Sequence, residues 1–207
     1  GPEASSPTGR MPPRLHLTVT PAIARSAHAH IKRRVGRMLR LDEDLAAFHR
    51  LHAAARRSGF GRIFRSPSVF EDIVRTMTCC NTAWSNTMTM NRLLCEKVGR
   101  GGDFPSAAEL ARWTPARLQR ATKVGYRADR IIRLARDVDA GRIDPAAFED
   151  PARDTDELYD ALRAIHGLGQ YSANNMLQLL GRYDRVPIDS ETIALLDRKS
   201  TRLNSSH

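Results

Sequence analysis

Two glycines and one carboxylate stand out in the C-terminal part of the chain. Gly167 and Gly169 are separated by one residue, and Asp189 lies twenty residues after the second glycine. A helix that ends near Ile165 and another that begins near Gln170 must be joined by a tight reversal, and we expect both glycines to supply its backbone angles. The free amides that open the second helix favour an anion, which in a basic protein is expected to be a phosphate. An ordinary helix–turn–helix corner uses the same glycines, so both interpretations stay open at this point.

The composition indicates a basic globular protein. The formal net charge is +10 and the hydrophobic content is 41%. This balance suggests nucleic acid as a partner, and a merely basic soluble protein is the alternative. No apolar run approaches the roughly 18 residues of a membrane span, and no signal peptide is visible. We therefore expect an intracellular protein without a membrane partner.

The three cysteines are Cys79, Cys80 and Cys95, and no two of them form a C-x-x-C pair. We expect them to be buried small hydrophobic side chains in a reducing compartment. Three cysteines cannot hold a four-cysteine iron–sulfur cluster.

The elements that must position the glycines and the carboxylate are predicted to be helices. Apolar residues recur at helical spacing along most of the chain, and capping signals mark several helix starts. The predicted starts are at Thr20-Pro21, at Ser68, at the capping box Ser106–Glu109 and at Thr155. The alternating segment Leu15–Val19 predicts one strand or the remnant of a sheet.

The wider pattern resembles the helix-hairpin-helix DNA glycosylase superfamily, nearest to its 8-oxoguanine and 3-methyladenine glycosylase II branch. The matching residues are Gly167-Leu168-Gly169-Gln170-Tyr171-Ser172-Ala173, Gly181, Val186-Pro187-Ile188-Asp189, Lys123-Val124-Gly125-Tyr126-Arg127-Ala128 and Cys80-Asn81-Thr82. The resemblance covers about Leu15 to Leu196. It implies a mainly helical fold of two subdomains with a cleft between them, no cofactor, and room for a monovalent cation at the hairpin.

In this resemblance Asp189 is the catalytic residue. Breaking a base–sugar bond leaves positive charge on the deoxyribose, and a carboxylate stabilises that charge and can orient water for attack. Asp189 can also be an N-cap of the following helix, and the two roles are compatible.

The position of Tyr171 implies the reaction type. Bifunctional members carry a lysine there, which attacks the sugar as an amine and forms a Schiff base. A phenol cannot form an imine, so the resemblance implies a glycosylase without lyase activity. Tyr171 and Gln170 are expected to line the base pocket or the hairpin, with simple packing as the alternative for Tyr171.

The resemblance also implies the residues that bind double-stranded DNA with a damaged base. Gly167, Leu168, Gly169 and Ser172 would dock a phosphate. Asn81 and Tyr126 are candidates to fill the hole left by the flipped base, and Arg127 to hydrogen-bond the opposite base. A phosphate or surface contact is the alternative for Arg127. We expect Trp84 to lie in the core, and Asn86 stands where the 8-oxoguanine branch has a second arginine.

Two functions remain open from the sequence. The first is a base-excision DNA glycosylase, expected to be a DNA-associated monomer in the cytoplasm or nucleoid of a bacterium or the nucleus of a eukaryote. The second is a non-catalytic or truncation-inactivated helix-hairpin-helix DNA-binding module. We expect residues 1–13 to be a disordered linker with a tag scar and 14–196 to be the glycosylase domain, truncated at its C-terminus. We expect 197–207 to be a non-native tail that resembles a translated sequencing adapter.

Overall fold

The computed structural model describes residues 15–20 and 24–204, and no β-strand occurs among them. None of the described helices is both long and apolar enough to cross a membrane. The helices are α1 (Arg25–Leu39), α2 (Ala46–Leu51), α3 (Ala53–Ser58), α4 (Val69–Cys79), α5 (Trp84–Lys97), α6 (Ala107–Ala111), α7 (Pro115–Thr122), α8 (Arg127–Asp139), α9 (Thr155–Ala164), α10 (Gln170–Leu179) and α11 (Ser190–Asn204), with a 3-10 turn at Pro145–Glu149. The mainly helical class predicted from the sequence is confirmed.

Side-chain caps start several of these helices. The Ser68 hydroxyl accepts a hydrogen bond from the Glu71 amide at the start of α4. Ser106 and Glu109 form the predicted capping box of α6. The start of α9 was predicted correctly, but its cap was not: Asp154, rather than Thr155, accepts the first amide hydrogen bonds. A carboxylate caps at least as well as a threonine hydroxyl, and its charge favours the helix N-terminus.

The prediction of a strand at Leu15–Val19 is wrong. These residues form neither helix nor strand, and Leu15, Leu17 and Val19 are exposed. Alternation alone does not form a strand when no second strand supplies the hydrogen bonds of a ladder. The first helix begins at Arg25 after Ala24, while Pro21 of the predicted Thr20-Pro21 start lies outside the described residues.

The hydrophobic core lies between α4, α8, α9 and α10. Its fully buried side chains include Ile73, Val74, Ile131, Ile132, Leu158, Leu162, Met176 and Leu177. Each such side chain contributes about 1.5–3 kcal/mol by leaving water. Because α10 packs on α9 and α4, and α8 packs on α4, the start of α10 is held in place relative to the end of α4 and the start of α8.

The N-terminal helices join this core through arginines. Arg37 forms ion pairs of 2.9 Å with both Asp72 and Glu149. The Arg40 guanidinium donates to the Leu179 carbonyl oxygen at the end of α10 (3.0 Å). These contacts fix α1 near the C-terminal end of α10, away from the N-terminus of α10.

Candidate functional site

The turn between α9 and α10, residues 165–169, forms the hairpin. Gly167 has a φ of +94°, and a Cβ atom there would lie 2.4 Å from Cδ of Arg130. Leu168 turns inward and is buried, and its carbonyl oxygen accepts a hydrogen bond from Arg163 (3.0 Å). Glycine is therefore required at position 167 for two reasons: the backbone angle there, and the Arg130 side chain of α8, which leaves no room for a Cβ atom.

Gly169 has a different role from the one predicted. Its φ of −80° and ψ of −179° are ordinary extended values, and a Cβ atom there would meet nothing closer than 3.9 Å. The expectation that this glycine supplies an unusual backbone angle is wrong. Its missing side chain instead leaves the N-terminus of α10 uncovered.

That N-terminus carries no side-chain cap. The first amide bonded within the helix is that of Ala173, which donates to the Gly169 carbonyl oxygen (2.9 Å). The amides of Gln170, Tyr171 and Ser172 precede it and have no partner within the helix. Together with the helix dipole, they make the hairpin suitable for an anion.

Asp189 caps α11. Its Oδ1 accepts hydrogen bonds from the amide and from the hydroxyl of Thr192, both at 2.8 Å. These two bonds hold the pKa of the Asp189 carboxyl below its ordinary value. The side chain is half-buried, and both hydrogen bonds from Thr192 go to Oδ1 rather than to Oδ2. Asp189 is therefore an ionised carboxylate that can use one oxygen for the cap and the other for chemistry.

Two amide side chains of α10 hold the loop that carries Asp189, residues 180–189. Asn174 Nδ2 donates to the Val186 carbonyl oxygen (3.2 Å). Gln178 Nε2 donates to the Arg185 carbonyl oxygen (2.7 Å). The hairpin helix thus positions the carboxylate as well as offering its own amides.

Tyr171 is the second residue of α10. It is half-buried in the first turn of α10. Burial raises the pKa of its phenol above the ordinary value, and the nearby Cys79, Asp189 and Cys80 side chains raise it further. The structure therefore brings both Asp189 and the end of α4 within electrostatic reach of Tyr171.

The end of α4 also contacts the hairpin helix directly. Cys80 Sγ lies 3.1 Å from Oγ of Ser172, and Ser172 is buried. The expectation that the cysteines are simply buried hydrophobic side chains is wrong, because Cys79 and Cys80 are half-buried and hydrogen-bonded. The predicted DNA contact of Ser172 stays a prediction.

Arg127 supports the α4–α5 loop, residues 80–83. It is only 6% exposed. Its guanidinium donates to the carbonyl oxygens of Met77 (3.1 Å), Cys80 and Asn81 (3.4 Å). Asn81 itself is exposed and has a left-handed φ of +51°. In this conformation Arg127 presents Asn81 to solvent, and the predicted contact of Arg127 with a base stays a prediction.

Tyr126, next to Arg127 in the chain, and Trp84, three residues after Asn81, are both exposed. Tyr126 is half exposed, and its ring centroid lies 4.6 Å from the guanidinium carbon of Arg127 and 4.9 Å from that of Arg130. Trp84 begins α5 and is 68% exposed. The prediction that Trp84 lies in the core is wrong, because it faces away from the helix packing.

Arg130 is a residue that sequence reasoning missed. It contacts Tyr126 through its guanidinium and lies against Gly167 through its methylenes, so it joins the hairpin to the aromatic surface. Its spacing of four residues from Tyr126 in a helical segment was a usable signal. The partner across the fold, Gly167, could not be read from spacing.

A separate groove of about 610 Å³ lies at α1. Its lining includes His30, Arg33, Arg34, Arg37, Arg65 and Glu149. None of the residues predicted for the site lines it. No group of three or more histidine, cysteine or acidic side chains in the described part of the chain could hold a metal ion.

Solved structures share this fold, whereas no protein-family model and no curated protein sequence matches the chain. MBOgg1 in complex with a low-affinity DNA ligand matches with a TM-score of 0.67 and 22% identity, over 81% of this chain and 61% of that one. The Clostridium acetobutylicum 8-oxoguanine glycosylase/lyase, in complex with double-stranded DNA containing cytosine opposite 8-oxoG, matches with a TM-score of 0.65 and 18% identity, over 79% and 60%. The 3-methyladenine DNA glycosylase from Archaeoglobus fulgidus matches with a TM-score of 0.62 and 18% identity, over 78% and 59%. This chain therefore has the helical fold of these DNA glycosylases and spans about three fifths of their length.

Proposed function

We propose that this chain is a monofunctional DNA glycosylase of base excision repair. It hydrolyses the N-glycosidic bond of an oxidised or alkylated base that has left the duplex. The shared fold supports a DNA glycosylase, and the site residues support hydrolysis by water.

The observation that carries this proposal is the state of Asp189. The carboxylate is kept ionised by Thr192, whose two hydrogen bonds both go to the same oxygen, and it lies within electrostatic reach of Tyr171 on the hairpin helix. As the base departs, positive charge develops on the deoxyribose. A fixed carboxylate stabilises this charge more than it stabilises the neutral substrate, which is the requirement for catalysis.

Tyr171 supports the monofunctional assignment. It occupies the position at which the resemblance places the lysine of bifunctional enzymes, and one structural neighbour is described as a glycosylase/lyase. The raised pKa of the phenol keeps it protonated at neutral pH. The Tyr171 side chain can therefore line the base pocket and donate a hydrogen bond, but it cannot form an imine.

The surface around the hairpin supports the binding of duplex DNA. The uncovered amides of α10 suit one phosphate, and this contact fixes the position of the duplex without reading its sequence. Asn81 is exposed on a loop whose carbonyl oxygens accept hydrogen bonds from Arg127. Tyr126, the residue before Arg127, is exposed as well. Both are candidates to occupy the space that a flipped base vacates.

A non-catalytic DNA-binding module is the second candidate. One observation favours it: Asp189 already has a structural role, because it caps α11 by accepting two hydrogen bonds from Thr192. Such a module would use the hairpin amides and the same exposed loop, with no requirement for the negative charge of Asp189.

A panel of duplexes that each contain one oxidised or alkylated base tests the proposal. Each product is divided and analysed with and without alkali, since alkali cleaves the strand at an abasic site. We expect at least one lesion to yield a break that appears only after alkali. Binding to every duplex with no alkali-sensitive product on any lesion would support the non-catalytic module instead.

A further inference from the structure

The groove at α1 lies outside the site described above and is rich in arginine. Its volume of about 610 Å³ falls within the range of pockets that hold ligands. Four arginines and two carboxylates make up its charged lining: Arg33, Arg34, Arg37, Arg65, Asp42 and Glu149. The proposed hydrolysis uses none of these side chains.

Two of the four arginines form a fixed, buried part of the groove. The side chains of Arg37 and Arg65 are only 11% and 9% exposed. Oε1 of Glu149 pairs with both, at 2.9 Å and 3.1 Å, and Arg37 also pairs with Asp72 at 2.9 Å. Arg65 Nε donates a hydrogen bond to the Arg37 carbonyl oxygen (3.0 Å). Because carboxylates already compensate these two arginines, they shape the groove rather than attract a ligand to it.

Arg33 and Arg34 carry the uncompensated charge of the groove. Both side chains are exposed, and neither has a hydrogen-bond or ion-pair partner within the described part of the chain. Asp42, the other carboxylate of the lining, forms an ion pair with neither of them. The planar fork of N–H donors on an arginine matches the oxygens of a phosphate group. The two side chains are therefore available to an incoming phosphate.

Positive charge continues along α1 beyond the groove. The helix contains five arginine and lysine residues and no acidic residue. Arg25 and Lys32 are exposed, and their separation of seven residues places them on one side of the helix, about 10 Å apart. This distance corresponds to about three base pairs along the axis of a duplex. A small anion in the groove would leave both side chains unused, so the surface fits an extended polyanion.

We propose that α1 is a second contact surface for the phosphate backbone of duplex DNA, with Arg33 and Arg34 at its centre. The choice of DNA as the polyanion rests on the proposed function. Arg40 and Arg65 bind the Leu179 carbonyl oxygen at the C-terminal end of α10. Since α10 has ten residues, its N-terminal amides lie about 15 Å from this point. The α1 surface is therefore separate from the hairpin, and it adds affinity without reading sequence.

Fluorescence anisotropy with an undamaged duplex at several salt concentrations tests this surface. Arg33→Gln/Arg34→Gln should weaken binding about tenfold and reduce the slope of log affinity against log salt by about two, because each phosphate contact contributes about 0.9. Arg33→Lys/Arg34→Lys keeps both charges and should keep the slope. Arg112→Gln/Arg133→Gln removes two exposed arginines elsewhere and is the control matched in net charge, for which we expect little change.

Equal losses in the two glutamine variants would overturn the proposal, because net charge rather than position would then set the affinity. Addition of Gly169→Asp to Arg33→Gln/Arg34→Gln should multiply the two losses if the surfaces are separate. No further loss in this combined variant would overturn the separation. Wild-type duplex affinity in Arg33→Gln/Arg34→Gln, together with lost binding to phosphatidylglycerol vesicles, would overturn the proposal in favour of a membrane surface.

The outcomes for α1 and for the glycosylase can be told apart. If the wild type excises a lesion and Arg33→Gln/Arg34→Gln binds duplexes as the wild type does, only the α1 surface is overturned. If the wild type binds duplexes through Arg33 and Arg34 but excises no lesion, the α1 surface is supported and the glycosylase is contradicted. A wild type that binds no duplex would overturn both.

Discussion

The side chain of Arg130 occupies the space that a Cβ atom at Gly167 would need. The ideal Cβ position lies 2.4 Å from Cδ and 2.7 Å from Cγ of Arg130. This contact joins α8 to the hairpin, and it makes Gly167 a structural requirement rather than a flexible point.

Gly167→Ala should therefore destabilise the protein, whereas Gly169→Ala should not. The first variant combines a φ of +94° with a clash, and strain of this kind costs about 1–3 kcal/mol. The second has ordinary backbone angles and room for a methyl group. Denaturant unfolding of the two variants measures the difference in the free energy of unfolding. Equal stability of both variants would show that the contact with Arg130 is not restrictive.

Gly169→Asp should weaken binding to all duplexes to a similar extent. A carboxylate at this position repels a phosphate at the uncovered amides of α10, and phosphate contacts carry no sequence information. Fluorescence anisotropy with several unrelated duplexes, at two salt concentrations, measures the effect, and Gly169→Ala is the matched control. A loss confined to one sequence would mean that the hairpin reads bases.

Trp84 should contact DNA. Its exposed ring lies at the start of α5, three residues after Asn81. Stacking of a base on an aromatic ring contributes about 1–3 kcal/mol, so Trp84→Ala should weaken binding about tenfold. The chain has two tryptophans, and Trp113→Phe leaves Trp84 as the only one. DNA should quench the fluorescence of that variant, while Trp84→Phe should show little change. If DNA quenches Trp84→Phe and leaves Trp113→Phe unchanged, the DNA does not contact Trp84.

The wild-type protein should form no covalent complex with DNA under borohydride. Trapping requires an amine that has attacked the sugar, and Tyr171 offers none. Electrophoresis after reduction on an excised site gives the answer. A strong adduct that maps to a lysine such as Lys123 would show that a lyase uses a residue outside the hairpin helix.

The carboxyl of Asp189 should titrate below its ordinary pKa of 3.8 because of Thr192. The stability that it contributes is present above the ordinary pKa and is lost as pH falls through the lowered value. Thr192→Ala removes one of the two hydrogen bonds and should raise the midpoint. Carbon-13 NMR of the labelled carboxyl groups measures both values, and identical midpoints would show that the cap does not control the charge.

Sequence reasoning predicted the helical class and the tight turn between α9 and α10, while the role of Asp189 stays a prediction. Periodicity and caps are local signals, and they were sufficient for α4 and α6. The start of α9 was also located, although its cap is Asp154 rather than Thr155. The errors have physical causes. The segment Leu15–Val19 alternates but has no strand to pair with among the described residues, and the exposure of Trp84 depends on which helices pack against α5.

The contacts that shape the site lie far apart in sequence. Arg130 packs against Gly167, and Arg127 donates hydrogen bonds to carbonyl oxygens of Met77 and Asn81. Each of these contacts joins two segments that no spacing rule connects. The role of Gly169 also required its measured backbone angles, since a glycine in a turn does not reveal whether its φ or its missing side chain matters.

Single-turnover base release by Asp189→Asn, on a lesion that the wild type excises, tests the central claim most directly. Asparagine caps helices as well as aspartate does, so this variant keeps the structural role and removes only the charge. Asp154→Asn at the cap of α9 is the matched control. The account predicts normal folding and duplex binding, an unchanged rate for the control, and a loss of about 100-fold or more for Asp189→Asn. A rate for Asp189→Asn close to that of the wild type would contradict a catalytic role for the carboxylate.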